Sequence, residues 1–157
     1  MQRPDIKTMA NLEAAFAGES MAHIKYRYFA KIARAAGDEE TALIFEETAN
    51  QEVQHALGHL DLIYPKETLN PARCLEMAIA GETYEYTEMY PGFLKTAQEE
   101  GQASAISEIK DQIAESKDHA ARFEAVLEKA AKRFSALAKV EERHAKQYRA
   151  VLAKVTA

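Results

Sequence analysis

From Ala103 to Val155 the chain contains neither glycine nor proline, and its apolar residues keep a helical step throughout. Phe123, Val126, Ala130, Phe134, Leu137, Tyr148 and Val151 recur every three or four residues, with His119, Glu141 and His144 on the same stripe. A stretch of that length is compatible with one very long helix or with two helices and a disguised break, and with no sheet. An all-α fold follows.

The rest of the chain agrees. Between Thr8 and Ala36 the residues Leu12, Ala15, Phe16, Ala22, Tyr26, Phe29 and Ala33 mark one amphipathic helix, which Gly37-Asp38 ends. A second runs from about Glu39 to Ile63, followed by the proline-flanked linker Tyr64 to Pro71. A third opens near Ala72, is expected to kink at Pro91-Gly92, and ends at Glu99-Glu100-Gly101. With 157 residues, one domain over 1–157 is expected, large enough to bury about two-thirds of its unfolded surface.

Charge and cysteine content exclude several functions. A net charge of -5 gives no concentrated basic face, so nucleic acid is not expected as a partner. Cys74 is the single cysteine, which rules out an intrachain disulfide and any four-cysteine zinc or iron site within the chain. Met1 to Asn11 has no apolar core of leader type, and no stretch approaches the roughly 18 apolar residues of a membrane span, so a cytoplasmic location is expected.

Two Glu-x-x-His tetrads, Glu52-Val53-Gln54-His55 and Glu141-Glu142-Arg143-His144, lie within helical sequence. Residues three apart share a helix face, so each tetrad can direct a carboxylate and an imidazole to one point. Glutamate is common on solvated helix faces, and one such tetrad would mean little. Here Glu19 and Glu82 add carboxylates from two further helices, in segments that echo each other as Ala15-Phe16-Ala17-Gly18-Glu19-Ser20 and Ala78-Ile79-Ala80-Gly81-Glu82-Thr83. One Glu from each of two helices plus two Glu-x-x-His units is the ligand set of a ferritin-like bundle holding two irons or manganese ions. Burying unpaired carboxylates costs several kcal/mol, which cations among them would offset.

The stretches Ala15–Ser20, Phe45–Glu52 with His55, Glu82 with Glu85-Tyr86-Thr87-Glu88-Met89-Tyr90-Pro91, and Leu137–Tyr148 resemble the ligand segments of the rubrerythrin family. That resemblance implies a ferritin-like four-helix bundle with an extended or additional C-terminal helical segment. It also implies two non-haem Fe ions; by its chemistry the same ligand set accepts Mn or Zn as possible substitutes. The metal ligands it assigns are Glu19, Glu52, His55, Glu82, Glu85, Glu141 and His144. Glu85 is the carboxylate particular to this family, which exchanges with the second helix's histidine as the iron changes oxidation state. Tyr26 and Tyr90 match the family's tyrosines that hydrogen-bond to ligating carboxylates, although an aromatic core stripe would read the same way.

The activity implied is two-electron reduction of hydrogen peroxide to water, with Glu85 assisting proton delivery. Because the cysteines of the usual rubredoxin-like domain are absent, electrons would come from an external electron-donor protein such as a rubredoxin. An iron-oxidising, ferritin-like use of oxygen is one alternative, and a helical oligomerisation module is another. A homodimer is expected, with helices exchanged across the Tyr64–Pro71 linker, because the last helix carries an apolar stripe longer than its bundle.

The sequence departs from the family pattern between Gly101 and Phe134, where about 25 residues, close to seven helical turns, are added. This places Glu115 and His119 on the same stripe as Glu141 and His144. Counted from Glu82, His119 falls where the family's last-helix histidine normally stands, but the residue three before it is Ser116 and Glu115 stands four before it. Local sequence and spacing favour Glu141 with His144; a local helical bulge could bring Glu115 and His119 together. His23 and His59 are read as surface or edge residues.

Overall fold

The computed structural model describes residues 7–155, so the stretch Met1–Ile6 of the leader reading lies outside the described residues. Five α-helices account for nearly all of it: α1 Thr8–Ala35, α2 Glu39–Ile63, α3 Pro71–Tyr84, α4 Tyr90–Glu99 and α5 Ala103–Val155. One 3-10 turn, Lys66–Thr68, occupies the linker, and a π-helical segment, Glu85–Met89, joins α3 to α4. Among the described residues the architecture is all-α.

Local chemistry sets the breaks. Gly37 and Gly101 have φ of 82° and 69°, the left-handed region that glycine adopts without a Cβ clash. Each closes a helix: Asp38 N–H donates to Ala33 O and Gly37 N–H to Arg34 O, while Gln102 and Gly101 do the same to Ala97 and Gln98. New helices then open on capping side chains, Asp38 accepting from Thr41 N–H at 3.0 Å and Asn70 from Arg73 N–H at 2.9 Å.

The kink expected at Pro91-Gly92 takes the form of the π turn just upstream. Proline has no N–H to donate and its ring crowds the preceding turn. Tyr90 N–H bonds to Glu85 O, the wider i−5 spacing, and Pro91 then sits in the first turn of α4, where a missing N–H is tolerated. No bulge forms around Glu115 and His119, because α5 is an uninterrupted α-helix of 53 residues, about 80 Å long.

The chain divides into two compact units, residues 1–69 and 70–157. The first is the α1–α2 pair, in which Ala42, Ala49 and Ala56, two turns apart, are buried together with Ala30. Small residues let the two helices approach closely. Polar contacts pin them. Arg34 near the end of α1 bridges Glu39 at 3.0 Å and Glu46 at 2.8 Å on α2. His23 Nδ1 lies 2.7 Å from Ala49 O and Arg27 donates to its Nε2, so the ring ties α1 to α2 at the edge of the pair.

In the second unit α3, the π segment and α4 pack along the first half of α5, with Ala97 and Ala120 buried. Each unit is thus a helical pair whose first arm carries one of the two echoing segments, with Glu19 on α1 and Glu82 on α3. No helix among the described residues is long and apolar enough to cross a membrane.

Candidate metal centre

In the first unit, Glu19 on α1 faces Glu52 and His55 on α2. The three offer ligand atoms that all lie within 4.8 Å of one another. Glu52 and His55, one turn apart, are already in contact at 3.1 Å from Oε2 to Nδ1. Glu52 also shares a hydrogen bond with Glu19, which holds the Glu19 carboxyl above the usual range and Glu52 below it. Two carboxylates in such contact oppose each other's ionisation, and a cation between them would relieve that opposition.

The second unit gathers its own set. Glu82 Oε1 lies 3.4 Å from His119 Nδ1, and Glu85 Oε2 accepts a hydrogen bond from Ser116 Oγ at 2.9 Å. The other Glu82 oxygen, Oε2, is buried without a hydrogen-bond partner, an arrangement that costs free energy unless a cation or water meets it. Glu85 opens the π segment, and such turns are frequent at functional sites.

Along α5 the arrangement differs from the one favoured by local sequence. Glu141 and His144 lie 3.7 Å apart, with side chains 76% and 49% exposed. Among the described residues their contacts are with each other and, for His144, with the Tyr148 ring. Chain counting gives the reason: Glu82 lies 19 residues before the turn at Gly101, and His119 lies 18 after it. In an antiparallel pair those positions are level. His144 is 25 residues beyond His119, about 38 Å further along the axis. The seven-turn spacing keeps both histidines on one face, so periodicity does not say which lies level with Glu82, whereas the distance from the turn does. Glu115 is exposed.

The two tyrosines occupy different surroundings. Tyr90 is half-buried, and burial raises its phenol, followed by the charges of Glu85, Glu82 and Glu108, so it stands in the field of the Glu82–Glu85 pair. Tyr26 belongs to an aromatic cluster, its ring 5.9 Å from Phe45 and 6.4 Å from Phe29. Ser116 carried no role in the sequence reading. The same count from Gly101 would have found it, since Glu85 lies 16 residues before the turn and Ser116 15 after it.

Residues 10–127 match the family model described as Rubrerythrin. Rubrerythrin of Porphyromonas gingivalis is 39% identical over 133 residues, covering 77% of this chain and 66% of that protein. Nigerythrin of Nitratidesulfovibrio vulgaris is 40% identical over 129 residues, covering 74% and 63%. The chain thus spans somewhat under two-thirds of the length of these curated relatives. Among solved structures, fully reduced, all-ferrous nigerythrin is similar at 34% identity with a TM-score of 0.40, over 83% of this chain and 70% of that one. The matched segment contains Glu19, Glu52, His55, Glu82, Glu85 and His119 and ends before Glu141. The chain belongs to the rubrerythrin family.

Proposed function

We propose that the chain is a non-haem di-iron peroxidase that reduces hydrogen peroxide to water with electrons from an external donor protein such as a rubredoxin. Its ligands in this reading are Glu19, Glu52 and His55 on α1 and α2, and Glu82, Glu85 and His119 on α3, the π segment and α5. The convergence of Glu19, Glu52 and His55 within 4.8 Å carries the reading. The raised Glu19 carboxyl beside Glu52 and the orphaned Glu82 Oε2 support it, because a divalent cation would offset the carboxylate repulsion of the first and satisfy the second. The 3.4 Å contact with Glu82 supports His119 in place of His144.

Two ferrous ions, when bound, supply one electron each. Those two electrons, with two protons, would account for breaking the O–O bond of hydrogen peroxide to give two waters. Glu85 brings a proton to the departing oxygen, and Tyr90, under the Glu82 and Glu85 charges, steadies the carboxylates. Carboxylate oxygen with imidazole suits iron, and also accepts manganese or zinc. The same reading takes the protein as a cytoplasmic homodimer with helices exchanged across Tyr64–Pro71. The exposure of Phe134 and Tyr148 on α5, 71% and 72%, supports the dimer, which a single-chain mass by light scattering would refute.

Anaerobic loading with ferrous iron, metal analysis, and comparison of oxidation by peroxide and by oxygen test the activity. Two irons per chain, oxidised faster by peroxide, is the expected result. Faster oxidation by oxygen would make the protein an iron oxidase, and failure to retain iron would leave a helical assembly module.

A further inference from the structure

Ser116 is the sole buried polar side chain among the described residues, 3% exposed. A serine within a helix ordinarily turns its hydroxyl back to the carbonyl four residues earlier. This one instead crosses to the π segment and donates to Glu85 Oε2 at 2.9 Å. The choice of residue stands out against the second copy of the motif on the same helix. Advancing 25 residues carries His119 onto His144 and Ser116 onto Glu141, so the copy level with Glu85 has a hydroxyl where the distal copy has a carboxylate. A glutamate there would set a third negative charge beside Glu82 and Glu85; the serine contributes a donor and no charge.

We propose that Ser116 is a positioning residue that fixes the Glu85 carboxylate for metal binding. Its hydroxyl engages one oxygen, Oε2, and leaves the other, Oε1, for a cation. A charge-assisted bond from a buried donor restricts the rotamers of an otherwise mobile glutamate at the start of the π turn. The proposal rests on the reading of Glu85 as a metal ligand.

A double-mutant cycle with cobaltous ion tests it, following affinity by calorimetry and the ligand-field absorption of the bound ion. In the full chain, S116A should weaken binding about tenfold, the scale of one hydrogen bond to a charged group, and alter the visible spectrum. In an E85A background the same change should have no further effect, because Ser116 acts only through Glu85. Unchanged affinity in S116A, or an equal loss with and without Glu85, would overturn the proposal. If E85A alone binds cobalt as the wild type does, Glu85 is not a ligand and the underlying reading fails instead. Thermal unfolding of the metal-free variants separates a loss of fold from a loss of positioning.

Discussion

Removing His119 and removing His144 should have very different consequences. His119 lies against Glu82, whose side chain is 22% exposed and whose Oε2 is buried without a partner. His144, about 38 Å along the same helix, pairs with a glutamate that is 76% exposed. In the metal-free protein, H119A leaves a partly buried carboxylate without its neighbour and should cost about 1 kcal/mol or more. H144A breaks a surface pair and should cost under about 0.5 kcal/mol. For metal binding the contrast widens. Loss of a residue that merely supports a ligand lowers affinity roughly 10- to 100-fold, so loss of a ligand should do at least as much. H119A should therefore bind cobaltous or ferrous ion at least tenfold more weakly, and H144A within about threefold of the wild type. Calorimetric titration gives the affinities, and urea unfolding shows whether each variant remains folded. Full affinity in H119A together with loss in H144A would refute the assignment of His119 and restore Glu141 and His144 as ligands.

Three further outcomes are expected. E85A should impair peroxide turnover more than iron loading, since Glu85 is assigned both a proton and a ligand role; equal turnover in stopped-flow measurements would remove the proton role. Metal affinity should rise with pH through the acid range, because a cation competes with protons for Glu19, whose carboxyl Glu52 holds above its usual range, and should flatten once Glu19 is ionised; a pH-independent binding constant would contradict that competition. A49L should lower stability by about 1–3 kcal/mol through overpacking at a fully buried position whose carbonyl also receives His23; an unchanged unfolding midpoint would show that α1 and α2 are not held together there.

Acidity should also act on the fold through Asp38, whose carboxyl is held below its usual range by the Thr41 backbone N–H. A depressed carboxylate stabilises the folded chain above its unfolded pKa and loses that contribution as pH falls through the folded one. The start of α2 should therefore weaken only below about pH 4, and D38N, which caps without titrating, should lack that loss in a circular dichroism titration.

Most of the secondary structure could be read from the chain because it is written in local chemistry. The limits of α1 and α2 follow from Gly37, Asp38 and the linker prolines, and α5 from the absence of any breaker after Gly101. The pairing of Glu52 with His55 was legible for the same reason, since residues three apart meet on any helix. Three features were not local. The irregularity expected at Pro91 became a π turn beginning at Glu85, because a proline's crowding can be relieved by widening the turn before it as well as by bending. Which of His119 and His144 lies level with Glu82 could not come from periodicity, which repeats every seven turns; it depends on how far each lies from the turn at Gly101 when the helices lie side by side. Ser116 has meaning only opposite Glu85. The sequence by itself determined where carboxylates and imidazoles fall along each helix and which face carries them, whereas the antiparallel packing of α3 and the π segment on α5 decided which of two equivalent stations on one helix stands beside the acidic pair.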